Sequence, residues 1–533
     1  MVFFINWQTT LECVLIALFF ASLLTLALFK PLGVLQSCGY KNREFFRWAG
    51  RKSNLIFSRF SLLALSSMLC CAVLALCFSF AKSYADLVSL AAYLIFFVLY
   101  VAADARYSFR GGATLTPRFK RLLIAVWLVI AIVTYICTSL LNFIDYVWGE
   151  KFFEYLKYCA LAAIPFAALP LAAFANLITL IWEKPINSSF VSKAKKKLLS
   201  SEITVVGITG SYGKTGVKNI LKAMLAKKYE VLATPASYNT PLGIAKTVNT
   251  NELPKGGVFI AEMGARNVGD IKELCELCPP DWSLITGICS QHLESFKSLE
   301  AIVSTKGEII PATKNNCFIA TDAYEYFKDA GDKVKCCDCV SEVNADCTGT
   351  EFTLTLGGQS KKVKTKLLGA HSAANIGLCA QAAYALGVGL DDIAAAIGEL
   401  EFTEHRLQLL EANGVNILDD GYNSNVVGAK AAVEVLRSFG GNKICVTPGL
   451  VELGVLEESE NRQLGKELVG LDYIILVGET LVEAVKNGYL DGGGDAEKLT
   501  IVPTLQIAQD KIAQIIQKGD CVLFLNDLPS KYM

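Results

Sequence analysis

The sequence predicts an α-helical transmembrane region followed by two α/β units, the first a phosphate-loop domain and the second Rossmann-like. Three observations carry this. The first third of the chain holds five long apolar stretches, which lift the mean hydropathy of the 533 residues to +0.41. Beyond residue 200, short apolar runs alternate with helical periodicity, as in parallel sheets with crossover helices. At the head of that region stands ITVVGITGSYGKT, residues 203–215. The length fits roughly three domains.

The apolar stretches lie at about 11–29, 61–81, 87–104, 122–143 and 158–181, each near the ~20 residues that cross a bilayer as a helix. Their flanks set the orientation. Cations crowd 30–60 (Lys30, Lys41, Arg43, Arg47, Arg51, Lys52, Arg59) and 105–121 (Arg106, Arg110, Arg118, Lys120, Arg121), and Lys193 and Lys195 to Lys197 follow the fifth stretch. The alternate loops are short and poor in cations. Positive charge stays inside, so the expectation is a multi-pass cell-membrane protein with all residues after 182 in the cytoplasm. Four segments result: a region of about five spans over 1–182, a basic linker over 183–200, a nucleotide domain over 201–404 and a C-terminal domain over 405–533. The formal charge is zero, so no global basic field argues for nucleic acid. Eighteen scattered cysteines fit reduced thiols in a cytoplasmic setting rather than a disulfide framework.

The run Ile203 to Ile208 reads as a buried parallel strand. It breaks at Gly210, Ser211 and Gly213, and a helical pattern follows from Val217 to Ala226. Strand, glycine loop and helix make a phosphate cradle. Loop amides face the anion, Lys214 adds charge, and the Thr215 hydroxyl can sit on Mg²⁺. Ile208 stands where the strict motif has glycine, so the loop is a variant. A tight turn without ligand is the bland reading; ATP is the expected one.

Further on, VFIAE (258–262) is a strand ending in Glu262, placed either as a surface acid or as a carboxylate for the nucleotide's Mg²⁺. A helix is expected over 270–277, a strand over 283–288, an inserted hairpin near 350–368 and a helix over 371–387. His292 follows a strand in GICSQHLESF, where a structural role is the commoner one. Lys306 lies in the helical run VSTKGEII, where a solvated lysine is the default. Asn375 and Arg406 are weak signals alone. Four later strands are expected at VNILDD, KICVTP, YIILVG and CVLFLN. The first runs into LDDGYNSN, whose Asp419 and Asp420 belong either to a plain turn or to a ribose site. Cys275 and Cys278 form a CxxC without a second pair, and KCCDC (335–339) is likewise a single cluster, so the case for zinc is weak.

Taken together, TGSYGKT (209–215), SYNTPLG (237–243), AEMGA (261–265), HLESFKSLE (292–300), KGEI (306–309), GAHSAAN (369–375), HRLQ (405–408), DDGYNSN (419–425) and VELG (451–454) resemble the Mur ligase family in order and spacing. These are ATP-dependent amide ligases of peptidoglycan synthesis, and the resemblance is nearest the MurF type, which joins D-alanyl-D-alanine to a UDP-linked muramoyl tripeptide. The resemblance implies that Gly210, Ser211, Gly213 and Lys214 bind the ATP phosphates. It implies Thr215, Glu262, His292 and Lys306 around Mg²⁺, with Lys306 matching a lysine that several members carbamylate. It places Asn375 at the adenine, Arg406 near the phosphates and Asp419 or Asp420 at the ribose. The implied reaction is attack of a carboxylate on the γ-phosphate, then of an amine on the acyl phosphate, with Mg²⁺ and cations neutralising the anions that must meet.

Two departures bear on the substrate. Spans stand where the MurF type has a soluble domain that grips the UDP-sugar, and the chain reads FLNDLPSKYM where a KGSR-like segment is expected. The implied partners are therefore a peptidoglycan-precursor-like carboxylate, an amino acid or dipeptide amine, and membrane lipid. Alternative readings are a ligase acting on a lipid-linked peptide or a glutamate polymer, and a non-catalytic ATP-binding membrane scaffold.

Overall fold

The computed structural model describes residues 7–50, 95, 113–148, 164–290, 293–422, 424–478 and 481–526. The chain divides into two compact units, one up to Ile186 and one over Asn187–Leu528.

Helices Trp7–Ala27, Phe29–Ser37, Asn42–Ala49 and Pro117–Trp148, with the first part of Ala168–Leu199, make up the described part of the first unit. Two of them, over Thr9–Ala27 and Pro117–Ile144, are long and apolar enough to cross a membrane. They correspond to the first and fourth expected stretches; the second, and the third apart from residue 95, lie outside the described residues. Phe20, Leu24, Leu28, Val126 and Ile130 pack inward with Ala168, Ala172 and Ala175. Leu15, Ile124, Ile132, Ile136 and Leu140 face outward, an apolar exterior that water-soluble domains rarely show. The side chain of Gln36 exchanges two hydrogen bonds with the backbone of Thr114, each 2.9 Å long. This pins the lead-in of helix Pro117–Trp148 to helix Phe29–Ser37.

The fifth expected stretch and the basic linker are largely one element. A 3₁₀ turn at Ile164–Ala167 leads into the single helix Ala168–Leu199, which carries Pro185 inside it. The linker's last turns belong to the nucleotide domain. Ala194 and Leu198 are buried in its core, and Lys197 Nζ donates to the carbonyls of Val248 (2.8 Å) and Asn251 (2.6 Å).

The nucleotide domain contains strands β1 (Thr204–Thr209), β2 (Val231–Ala233), β3 (Val258–Glu262), β4 (Trp282–Ile285), β5 (Cys317–Ala320) and β6 (Val334–Cys337). They form a parallel sheet in the order β2-β3-β1-β4-β5-β6. Helices cover both faces, which is why β3 is buried at every position. Chain order reverses at β1, which lies between β3 and β4, so a crevice opens at the carboxyl end of β1. The glycine loop lies at that end.

Strands β7 (Val340–Asp346), β8 (Gly349–Leu356) and β9 (Gln359–Thr365) make a separate antiparallel sheet. The expected hairpin is β8–β9, turned by Gly357 and Gly358 at φ 56° and 79°, a conformation that suits glycine in a two-residue hairpin loop. Strand β7 was not legible, because its side chains are almost all exposed and no apolar alternation marks it.

The C-terminal domain holds β10 (Gln408–Ala412), β11 (Val415–Asp420), β12 (Lys443–Thr447), β13 (Tyr473–Val477), β14 (Leu499–Val502) and β15 (Cys521–Leu525), in the order β10-β11-β15-β12-β13-β14. Only β10 runs antiparallel to its neighbour. The four expected strands are β11, β12, β13 and β15. The edge strands β10 and β14 went unread, since their burial is partial.

Helices Glu457–Glu467 and Val482–Asp491 meet through glycine. A Cβ on Gly465 would lie 2.0 Å from the Val485 carbonyl oxygen, and one on Gly488 1.8 Å from that of Arg462. Gly465→Ala is therefore expected to cost about 1–3 kcal/mol, read as a lowered thermal unfolding midpoint. Gly398→Ala, where the space is open, should leave the midpoint unchanged or slightly raised.

Candidate active site

The loop after β1 is stapled to the end of β4. Thr286 N–H donates to the Thr209 carbonyl at 2.9 Å, and Ser211 N–H to that of Gly287 at 2.8 Å. The Thr286 hydroxyl donates to the Tyr212 carbonyl, and the Tyr212 hydroxyl to Asp322. Gly210 has φ 145°, and a Cβ there would lie 2.2 Å from Thr286 Oγ1, so backbone and neighbour both require glycine. Gly213, at φ 76°, starts helix Lys214–Leu225, and no side chain caps it. Its first-turn amides therefore open toward the loop mouth, where an anion satisfies them. Lys214 Nζ donates to the carbonyls of Gly210 (2.8 Å) and Ser211 (3.1 Å). Burial lowers its pKa, nearby Glu262 opposes that, and Arg406 adds to the lowering.

Glu262 ends β3 with 1% of its surface exposed. Its carboxylate accepts from Lys218 Nζ at 2.9 Å, Thr215 Oγ1 at 3.1 Å and Asn239 Nδ2 at 3.2 Å. Its own N–H donates to Thr234 Oγ1 at 3.2 Å. Lys218, 2% exposed, also donates to the Ala236 carbonyl. No group of three or more His, Cys, Asp or Glu side chains suited to a metal occurs among the described residues. A hydroxyl beside one carboxylate still fits Mg²⁺, which keeps water and phosphate oxygens as most of its ligands.

Lys306, on helix Leu299–Gly307, is buried rather than solvated, with 3% exposure. Burial first, and Lys214 second, push its pKa well below the ordinary lysine value, which favours the neutral amine. His292 lies outside the described residues. Asn375, on helix Ala370–Ala385, faces the loop: a Cβ on Gly213 would lie 3.5 Å from its Oδ1. That helix also bonds to the loop's helix, from Cys379 Sγ to the Val217 carbonyl at 3.3 Å.

Arg406 sits between two left-handed residues, His405 at φ 56° and Leu407 at φ 48°. Its guanidinium lies 4.3 Å over the Tyr422 ring and donates to the Tyr422 carbonyl at 2.9 Å. Asp419 and Asp420 hold this segment. Asp419 Oδ2 lies 2.7 Å from His405 Nδ1. Asp420 accepts from Leu407 N–H at 3.1 Å and from Ser424 Oγ at 2.6 Å. Burial is the main cause that raises the Asp420 pKa to about 6.

Residues not marked in the sequence include Lys218, Thr234 and Thr286, while Asn239 and Tyr212 stand inside the motifs SYNTPLG and TGSYGKT with no role assigned there. Lys218 did carry a signal, since it stands three residues after Thr215 and four after Lys214 on one helical face. The CxxC thiols are buried, and burial pushes Cys275 up to about 12.

Lys218→Met strands a buried carboxylate and is expected to cost about 3–5 kcal/mol in urea unfolding; adding Glu262→Gln should recover most of that loss. Asp420 gives a pH test. Its folded pKa of about 6 exceeds the ordinary 3.8, so the folded state holds a proton that the unfolded state has released. The associated stability is present at the acid end and is lost as pH rises through 6. Asp420→Asn should remove that slope, with the wild-type-minus-variant stability falling between about pH 4 and pH 6 in denaturant titrations.

Residues 208–383 match the family model of the Mur ligase middle domain, and 405–526 that of the Mur ligase glutamate ligase domain. The UDP-N-acetylmuramoyl-tripeptide–D-alanyl-D-alanine ligase of Escherichia coli K12 is 30% identical over 334 residues, 59% of this chain and 74% of that protein. The Mycobacterium tuberculosis H37Rv enzyme of that name is 28% identical over 356 residues, 62% of this chain and 68% of that protein. Among solved structures, MurF from Thermotoga maritima in complex with ADP superposes with a TM-score of 0.57 at 27% identity, over 65% of this chain and 81% of that one. A MurF structure from Acinetobacter baumannii shares the fold, with a TM-score of 0.58 at 23% identity over 65% of this chain and 78% of that one. The chain belongs to the Mur ligase family of ATP-dependent amide ligases, with its middle and C-terminal domains in the MurF-like fold.

Proposed function

We propose that this chain is a membrane-anchored ligase of MurF type, joining D-alanyl-D-alanine to a muramoyl tripeptide. The observation that carries the reading is the Lys214–Thr215–Glu262–Lys218 constellation at the carboxyl ends of β1 and β3, in a chain whose relatives bear that activity in their names. In this reading Gly210, Ser211 and Gly213 present the loop amides to ATP, and Lys214 exchanges its loop carbonyls for phosphate oxygens. Asn375 holds the adenine, Arg406 lies along the phosphates, and Asp419 or Asp420 meets the ribose. Mg²⁺ would supply charge neutralisation to the phosphates. Thr215 and Glu262 would hold it, and the family resemblance assigns His292 and Lys306 to the same ion. A neutral Lys306 amine is the form that adds CO₂, and the carbamate, formed with loss of a proton, would put an anion where the neutral amine stood. The tripeptide carboxylate attacks the γ-phosphorus and ADP leaves; the dipeptide amine then attacks the acyl carbon and phosphate leaves.

The helices over Thr9–Ala27 and Pro117–Ile144 would anchor the enzyme as part of a multi-pass region, with the ligase domains on the cytoplasmic, cation-rich side. A second reading, in which the muramoyl peptide is lipid-linked, is favoured by one observation: the family matches begin at residue 208, and an apolar helical unit precedes them.

Phosphate release by the detergent-purified chain tests both. Turnover with UDP-muramoyl tripeptide plus D-alanyl-D-alanine supports the first reading, and turnover only with the lipid-linked tripeptide supports the second. ATP binding with no substrate-stimulated release would instead favour a non-catalytic scaffold. Lys214→Ala should lower turnover by at least about a hundredfold, and full activity in that variant would sink the assignment.

A further inference from the structure

The first unit contains a polar cluster that the ligase chemistry does not use, where helices Phe29–Ser37 and Asn42–Ala49 meet the start of helix Pro117–Trp148. Two amides there orient each other. Asn42 Nδ2 donates to the Ala173 carbonyl at 2.9 Å, so its oxygen faces Asn176. Asn176 Nδ2 donates to that oxygen at 2.8 Å and to the Tyr40 carbonyl at 2.9 Å. Both partners are acceptors, so turning the Asn176 amide over would set oxygen against oxygen. Its Oδ1 is left buried without a donor, on a residue with 0% exposure. Two further buried atoms of the cluster lack partners, the Tyr40 hydroxyl and Arg118 Nε. The Arg118 guanidinium lies 3.8 Å over the Tyr40 ring.

One orphan acceptor, one orphan cationic donor and a phenol that can do either call for a ligand with an anionic oxygen and its own donor. Tyr40 and Arg118 are only partly buried, so part of each side chain reaches the surface. Its place in the fold names the source. Arg121 Nε and the buried Glu183 pair at 2.6 Å one turn along, and the outward apolar face begins at Ile124. This is the level of lipid headgroups. We propose that Tyr40, Arg118 and Asn176 form a site for a phospholipid headgroup carrying both a phosphate and a hydroxyl or amine donor, as in phosphatidylglycerol. The proposal rests on the membrane reading of the first unit.

The test is native mass spectrometry of the full-length protein in detergent, titrated with phosphatidylglycerol, with phosphatidylcholine of the same chains, and with glycerol phosphate. Choline headgroups offer phosphate but no donor. Phosphatidylglycerol should be retained about tenfold more tightly than phosphatidylcholine, one hydrogen bond's worth, and glycerol phosphate should not displace it. Asn176→Leu should abolish the preference, and Arg118→Gln should weaken retention of both lipids about tenfold, which covers the case in which Asn176→Leu fails to fold. Equal retention of the two lipids, a preference that survives Asn176→Leu, or retention unchanged by Arg118→Gln would overturn the site and assign the orphan atoms to water. Displacement by glycerol phosphate would overturn the lipid source. Wild-type protein that does not sediment with membranes would sink the membrane reading itself, whereas membrane-bound protein without headgroup preference sinks only the site.

Discussion

A carboxylate out of reach of water must find its counter-charges in the protein, and much of the nucleotide domain is arranged to supply them to Glu262. Lys218 comes from the helix that the glycine loop launches, Thr215 from that helix's first turn, and Asn239 from the segment between β2 and β3. An ion pair this deep is stable only with good geometry and with its remaining donors and acceptors filled. Lys218 meets that condition by also bonding the Ala236 carbonyl, on a residue held at φ 42°. One buried charge thus fixes the rotation of the helix, the path of the 234–240 segment and the end of β3 together. The pair is shielded from mobile ions, so salt weakens it far less than it weakens a surface bridge.

The C-terminal domain prepares its share differently. Arg406 is flanked by two residues in left-handed backbone, a conformation that costs free energy for residues with side chains. Asp419 and Asp420 hold that strain in place through His405, the Leu407 amide and Ser424. The raised Asp420 pKa is a cost of the same arrangement. The guanidinium is then presented on the Tyr422 ring, and its charge is felt at Lys214.

Most of this fold was legible where burial writes itself into sequence. Helix Asp270–Leu277 and strand β3 fall at the residues their apolar patterns mark, and the glycine loop stands where strand turns to helix. Legibility failed at half-exposed edges such as β10 and β14, where partial burial leaves no clean period. It failed again for the segment 183–200, which reads as a basic linker although the helix continues to Leu199 and buries Ala194 and Leu198. In the site, the loop residues and Glu262 were readable because their chemistry is local. Lys218 and Asn239 act through partners distant in sequence, and Lys306 looked solvated because burial by other segments leaves no mark on its neighbours.

The sulfur of the ligase domains has a chemical consequence of its own. Cys278, Cys317, Cys379, Cys445 and Cys521 are buried, and burial holds each thiol above its ordinary pKa. Peroxides and electrophiles react with thiolate, and these positions offer almost none. Cys379 lies directly against the helix that carries Lys214, so an oxidant reaches that sulfur only after the domain has opened. Damage there follows unfolding, and a folded molecule keeps its nucleotide helix chemically intact under oxidative stress.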